Sequence, residues 1–367
     1  MTSGATPLTS FLRAGLVRLL LVTGSILVSL LSCELGLRIY QRLALDAPMG
    51  NDGLWVSADQ QAALPNLFDH RLGWRPTEGY ALDSSGERED GSRYPLHVTQ
   101  GRHGFRRFGS GSGPRTFVVG DSYTQALEVS DDRTYYARLE REVGLRMYAI
   151  GSSGYGTLQE SMLLDQHFDE VKPELVIWQF CYNDFMNNSY ELESAWTAGN
   201  SYLHDRPYLD GGEIRFRPPG SFARLRRWAW HSTRLYGFVA GRLARAAAPS
   251  EDLLLKDILA QGAEHPGFRD AVEITDRLFA RIAARVGGTP VMVFETCTTA
   301  APFYPAIKDI ARRHGMQFAP ELPGALDVAE QRGSKLLAAD HVHWNEEGHR
   351  IIADTLTGHV RRALAGR

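Results

Sequence analysis

The chain has 367 residues, enough for one large domain or two modest ones. A hydrophobic content of 43% and a charged content of 23% exclude a disordered chain, and a net charge of −3 gives no electrostatic case for a nucleic-acid partner. Three cysteines, Cys33, Cys181 and Cys297, suit neither a disulfide framework nor a zinc site. Cys181 and Cys297 both fall near predicted strand ends, where two small buried hydrophobes are expected ahead of a disulfide.

Residues 1–10 are small and polar. Leu19 to Cys33 carries no charge, and Leu35, Leu37 and Ile39 extend the apolar character. That uncharged core is short of the ~20 residues of a membrane span, but Arg18 and Arg38 can snorkel and lengthen it. A cleaved signal peptide is the alternative, although no small-x-small site precedes the folded region. Leu30-Leu31-Ser32-Cys33 resembles a lipoprotein site, yet Glu34-Leu35-Gly36-Leu37 reads as the same helix continuing. An uncleaved anchor over residues 1–44 is therefore expected. Arg13 and Arg18 balance Arg38 and Arg42 across it, so the positive-inside rule does not set its orientation.

Residues 45–112 are rich in Gly, Pro, Asp and Arg without sustained periodicity, and an irregular linker is expected there. Two aromatic–arginine clusters, Leu72-Gly73-Trp74-Arg75-Pro76 and Gly104-Phe105-Arg106-Arg107, stand out. Either the arginines meet substrate or the linker docks its aromatics on the next domain; docking is expected.

From Arg115 onward strands and helices alternate. Phe117-Val118-Val119 is a short apolar run ending in Gly120-Asp121-Ser122, the mark of a buried parallel strand. Asp131-Asp132 is expected to cap a helix carrying Tyr135, Tyr136, Leu139 and Val143. Strands follow at Met147–Ile150, Leu175–Phe180, Val291–Phe294 and near Gln317–Ala319. Helices are expected from Leu158 to Phe168, from Val272 to Val286, around Ile307 and Ile310, and from Ile351 through Leu364. Such alternation predicts an α/β fold, a parallel sheet between two helical layers. Residues 189–265 interrupt it. Asp210-Gly211-Gly212 turns a hairpin, and a basic, aromatic stretch follows with Arg224, Arg226, Arg227, Arg234, Arg242 and Arg245. That stretch either lies on anionic lipid, caps the site, or packs Trp228, Leu235 and Phe238 inward.

Four motifs carry chemistry. A serine just past the end of a parallel strand, Ser122, sits where open α/β sheets bind ligands, although no G-x-S-x-G elbow surrounds it. Gly151-Ser152-Ser153-Gly154-Tyr155-Gly156 follows the second strand and can offer backbone N–H groups to a ligand. Asn183-Asp184 follows the third strand, where an asparagine amide can donate to an oxyanion or cap a helix. Asp340 and His343, in Asp340-His341-Val342-His343-Trp344-Asn345-Glu346-Glu347-Gly348-His349, are three apart, so a tight turn can set carboxylate on imidazole. No further His or Cys cluster offers metal-site spacing, and no cofactor or metal is expected. The first three motifs fall at strand carboxyl ends, and the fourth opens the last helix. All four can therefore meet at one edge.

These four blocks together resemble the SGNH, or GDSL-type, hydrolase family, over about residues 113–367. Ser122 with Gly120-Asp121, Gly154, Asn183 and the Asp340/His343 pair match its serine, glycine, asparagine and histidine blocks. The resemblance implies a three-layer α/β/α fold of flavodoxin-like type with a five-stranded parallel sheet. It implies a catalytic triad of Ser122, His343 and Asp340, and an oxyanion hole of Ser122 N–H, Gly154 N–H and the Asn183 side chain. Cys181 stands where the asparagine block often has Gly, and Ala149 where an Asn often precedes the glycine block. The N-terminal helix and the interruption are similar to membrane-tethered bacterial members, whose catalytic domain usually faces outside the cytoplasm. The expected activity is an ester hydrolase acting through an acyl-serine on an acyl ester associated with the cell envelope. The alternatives are an O-acyltransferase of an extracytoplasmic polysaccharide and an inactive glycan-binding module. Expected partners are the acyl-ester substrate and, through the helix, the membrane, with no nucleic acid.

Overall fold

The computed structural model describes residues 7–45, 64–196, 205–217, 222, 225, 228–229, 232–239, 253–297 and 300–366. Two compact units form, Met1–Val56 with Leu225–Ala248, and Ser57–Arg224 with Pro249–Arg367.

In the first unit one helix runs unbroken over Pro7–Leu45. Its apolar portion, Gly15–Tyr40, is 26 residues long, sufficient to cross a bilayer. Leucines stand open all round it, Leu21 and Leu31 at 68% exposure, as suits a membrane anchor or a signal sequence. Glu34 pairs with Arg38 at 2.6 Å. The same carboxylate accepts the backbone N–H groups of Arg234 (2.9 Å) and Leu235 (2.7 Å), while Arg38 donates to the Ser232 carbonyl at 3.0 Å. Trp228 and Phe238 remain 56% and 44% exposed, so they do not pack inward. Arg224, Arg226, Arg227, Arg242 and Arg245 lie outside the described residues.

The second unit is built on a six-stranded sheet. Its strands are β5 (Arg107–Gly111), β6 (Arg115–Gly120), β7 (Arg146–Gly151), β8 (Leu175–Phe180), β11 (Val291–Glu295) and β12 (Gln317–Phe318), in the order β12-β11-β8-β6-β7-β5. The five expected strands are parallel; β5 adds an antiparallel edge against β7. Alternate residues feed opposite faces. Phe117, Val119, Ile150, Val176 and Trp178 pack against helices Thr157–Val171, Pro266–Val286 and Phe303–Arg313. Val118, Met147, Ala149, Ile177 and Phe294 pack against Leu322–Gln331 and Glu346–Ala365. The result is the expected α/β/α sandwich.

Residues 64–111 correct the expected irregular linker. They form β1 (Asn66–Asp69) paired with β2 (Gly73–Pro76), the ribbon β3 (Tyr80–Glu87) with β4 (Arg93–Gln100), and the sheet edge β5. In β4, Tyr94, Leu96, Val98 and Gln100 point inward and their neighbours outward, a period of two obscured by Pro95 and by charged outer residues. Pro95 is tolerated because the ribbon has only two strands. Docking of the aromatics is as expected, since Leu72, Trp74 and Phe105 are part of the sheet's core. Within the interruption, β9 (Arg206–Asp210) and β10 (Glu213–Arg217) form the expected hairpin, turned by Gly211 and Gly212 at φ 58° and 91°.

The helix at Tyr135–Leu139 is capped by Thr134, whose hydroxyl accepts the Ala137 N–H, and not by Asp131-Asp132. Asp131 is taken instead by Arg106 and Thr99. Cys181 and Cys297 form a disulfide across 116 residues, where separate buried thiols were expected.

Phe105 is 1% exposed and meets Phe108, Phe117 and His167 edge-on. Phe105→Ala is expected to lower unfolding stability by about 3–5 kcal/mol, because the cavity cannot collapse inside a packed core. Denaturant unfolding of the two proteins measures it.

Candidate active site

The end of β6 sets the geometry. A Cβ at Gly120 would lie 2.2 Å from Gln179 Oε1 and 2.5 Å from Thr124 Oγ1, so only glycine fits. Asp121 then caps a single helical turn, Ser122–Gln125, by accepting the Tyr123 N–H at 3.0 Å. Ser122 is therefore the first residue of that turn, and its N–H has no carbonyl within the helix to meet. Gln179 on β8 supports the turn from beneath, taking the Asp121 N–H at 3.0 Å and the Thr124 hydroxyl at 2.9 Å.

Asp340 and His343 meet as their spacing predicts. Asp340 Oδ1 accepts the N–H groups of Val342 and His343, both at 3.0 Å, and Oδ2 lies 2.5 Å from His343 Nδ1. One carboxylate thus folds its own turn and holds the ring. The other two histidines of the motif play no such part. His341 is exposed. His349 is buried, accepts the Tyr135 N–H at 3.1 Å, and is pushed down to about 3 by burial.

Gly154 sits at φ 76°, a left-handed position in the loop after β7. Asn183 opens helix Asn183–Asn188 without capping it. Its side-chain amide donates to Asp121 Oδ2 at 3.2 Å and to Asn187 Oδ1 at 3.1 Å.

The Ser122 turn ties the other three motifs together. Asp121 binds Asn183. The Tyr123 hydroxyl donates to the Val342 carbonyl at 3.0 Å, and its ring lies 5.1 Å from the His343 ring, centroid to centroid. Gln125 Oε1 accepts the Ser153 N–H at 2.8 Å, next to Gly154. Sequence reasoning passed over Tyr123 and Gln125; their only signal was adjacency to Ser122.

The sequence matches the GDSL-like Lipase/Acylhydrolase family over residues 118–351, more than half the chain. The chain belongs to the GDSL-like lipase/acylhydrolase family. It is an enzyme that hydrolyses ester bonds. A search of curated proteins finds no significant sequence match. Among solved structures it is similar to an alpha/beta hydrolase enzyme from the metagenome of Lake Arreo, Spain, at 16% identity and a TM-score of 0.36, covering 70% of this chain and 96% of that one. TesA is similar at 13% identity and a TM-score of 0.38, with 68% and 98% covered. Axe2, an acetylxylan esterase from Geobacillus stearothermophilus, is similar at 15% and 0.36, with 70% and 96% covered.

In this acylhydrolase the charges around His343 set its protonation. Burial works against the imidazolium, but the hydrogen bond to Asp340 and the carboxylates of Glu128, Asp340 and Asp121 outweigh it, so the His343 pKa is raised. Burial also opposes ionised Asp340, but the His343 ring and two backbone N–H groups hold it down at about 2. An ionised carboxylate can only accept, so Nδ1 carries the proton and the neutral ring keeps Nε2 bare. Deeper in, Asp184 and Glu160 are fully buried. Burial raises both pKa values well above the carboxylate range, helped by the charge of Asp121 at Glu160 and by those of Glu160 and Asp121 at Asp184.

Among the described residues, three groups of side chains are close enough to share an ion: Glu128, Asp340 and His343; His103, His167 and Glu170; and Cys181, Glu295 and Cys297. The disulfide closes the last, and Arg102 occupies His103 Nε2 and Glu170 in the second. In the first, Asp340 already takes the His343 Nδ1–H.

The pair's effect on stability follows from these shifts. Asp340, depressed, stabilises the fold above its unfolded pKa of 3.8, and that contribution is lost as pH falls towards about 2. His343, raised, stabilises below 6.5, and that contribution is lost as pH rises through its folded pKa. His343 is expected to titrate above 6.5, and Asp340→Asn to lower its midpoint. A histidine-selective NMR titration reads both; an unchanged midpoint in Asp340→Asn would refute the coupling.

Proposed function

We propose that this protein is a membrane-anchored serine esterase acting through an acyl-serine intermediate. The observation that carries the reading is the Ser122 turn, whose Asp121, Tyr123 and Gln125 reach the Asn183, His343 and Gly154 motifs respectively. Ser122 attacks the acyl carbonyl while His343 Nε2 takes its proton. Asp340 fixes the tautomer and stabilises the imidazolium. The tetrahedral oxyanion is held by the N–H groups of Ser122 and Gly154 and by the Asn183 amide, which turns from Asp121 to meet it. His343 then protonates the leaving alcohol, and water releases the acid by the reverse path.

The substrate is an acyl ester at the cell envelope, and the catalytic domain faces away from the cytoplasm. Two features support this placement. The Gly15–Tyr40 helix is long enough for a single pass, and a Cys181–Cys297 disulfide persists in oxidising compartments. On this reading residues 1–44 are the anchor, 113–367 the hydrolase domain, and about 189–265 an insertion within it.

Ser122→Ala is expected to abolish hydrolysis of p-nitrophenyl acetate and labelling by a fluorophosphonate. Asn183→Ala is expected to lower kcat by about 10²–10³-fold, the usual loss for one oxyanion donor. Full activity in either variant would overturn the assignment. Activity is expected to rise with pH through the His343 pKa, because only the neutral ring accepts a proton; a flat profile from pH 5 to 9 would argue against His343 as base. Supplying glycan acceptors with the acyl donor tests the transferase alternative, which requires acylated glycan in place of free acid.

A further inference from the structure

Two donors proposed for the oxyanion hole, the Gly154 N–H and the Asn183 amide, lie on different loops, yet one buried polar chain connects them. From Asn183 it runs to Asn187 Oδ1 at 3.1 Å, then from Asn187 Nδ2 to Glu193 Oε2 at 2.5 Å. Glu193 Oε1 pairs with Arg206 Nη1 at 3.2 Å, and Arg206 Nη2 donates to the Gly154 carbonyl at 2.8 Å. Glu193 and Arg206 are fully buried, and Asn187 is 2% exposed. Arg206 also donates to Gln159 Oε1, and Gln159 Nε2 reaches the Leu72 carbonyl at 2.6 Å.

Trp74 completes the arrangement. Its indole Nε1–H donates to the Ser153 carbonyl at 2.9 Å, and its ring lies 5.4 Å from the Arg206 guanidinium carbon. In a trans peptide the carbonyl and the N–H point in opposite directions. Holding the Ser153 carbonyl back on Trp74 therefore aims the Gly154 N–H the other way. Arg206 fixes the following peptide plane through the Gly154 carbonyl. Both planes flanking a left-handed glycine, which is otherwise free to rotate, are thereby set.

We propose that the Glu193–Arg206 pair, together with Trp74, is a positioning device that aims both the Gly154 and the Asn183 donors at the oxyanion. It rests on the Ser122 reading above. None of the three residues touches the reacting atoms. Their action is to hold donor geometry, where an error of about 1 Å costs up to 10²-fold.

The test uses the full-length protein in detergent. Trp74→Phe keeps a ring in the core but removes the indole donor; Glu193→Gln keeps the shape but removes the charge. Each is expected to lower kcat on p-nitrophenyl acetate by about 10-fold or more, with KM within about threefold, because the interactions count in the transition state. Fluorophosphonate should still label Ser122 in both, more slowly than in wild type. In an Asn183→Ala background, Glu193→Gln should cost markedly less than it does alone, because one donor it orients is already gone. A general loss of fold would instead cost the same in both backgrounds and lower the unfolding midpoint with the activity. Should Glu193→Gln fail to fold, Trp74→Phe carries the test alone. The proposal is overturned if the folded variants keep kcat within twofold, or if the Glu193→Gln loss is equal in the two backgrounds. Wild type that neither hydrolyses the ester nor labels at Ser122 would instead overturn the Ser122 reading, and this proposal with it.

Discussion

Parallel pairing in the middle of the sheet governs the site. β6 lies between β7 and β8, with Gly120 opposite Gly151 and Val119 opposite Trp178. Strands of common direction and matched register end at one level. The loops carrying Ser122, Gly154 and Asn183 therefore leave the sheet as neighbours. No side chain has to reach far for Asp121, Tyr123 and Gln125 to touch the other three motifs. A register slip of one residue would turn each strand's core side chains to the opposite face and lift one loop out of the group.

Loops that meet at a sheet edge leave backbone groups needing partners, and residues 64–111 supply many of them. Arg106, 5% exposed, donates to the carbonyls of Gln125 and Ala126, which close the Ser122 turn, and of Val129 beyond it, and pairs with Asp131 at 2.8 Å. Charge-assisted donors of this kind are about twice as strong as neutral ones. In the Gly154 loop Trp74 donates to the Ser153 carbonyl, and Asn66 Oδ1 accepts the Ser152 hydroxyl at 3.0 Å. β3 reaches the Asp340–His343 turn, where the Glu87 carbonyl accepts the Ala339 N–H at 2.9 Å and Arg88 pairs with Glu346 at 2.5 Å. The segment ahead of the α/β unit thus buttresses three of the four motifs.

Much of this was legible from residue order. Buried parallel strands announce themselves as nearly continuous apolar runs, and β6, β7, β8 and β11 were readable in that way, as were the short edge strand β12, the hairpin and the Asp340–His343 contact. The ribbon β3–β4 was not, because its inward residues alternate with Asp, Ser, Arg and His, and Pro95 breaks the pattern. Helix Leu322–Gln331 was missed behind Pro320 and Pro323. The side-chain partners of Arg106 lie 19 to 25 residues away, that of Trp74 79 and the Gly154 partner of Arg206 52, separations that no local spacing encodes. The arginines of the two aromatic clusters were weighed only as substrate contacts; Arg106 proved to be inside, where three carbonyls and a carboxylate surround it. The disulfide was underrated for the same reason, since two cysteines 116 residues apart give no local sign that neighbouring strands bring them together.

That bridge has a consequence for a cut chain. Everything from Tyr182 to Thr296, including the β9–β10 hairpin and Arg206, belongs to a covalent ring closed by Cys181 and Cys297. A protease that nicks the ring once leaves two polypeptides still joined by sulfur. Such a molecule migrates as a single species until a reductant is added. Clipped protein would therefore escape notice on an unreduced gel while its hairpin was already severed from one of its two attachments.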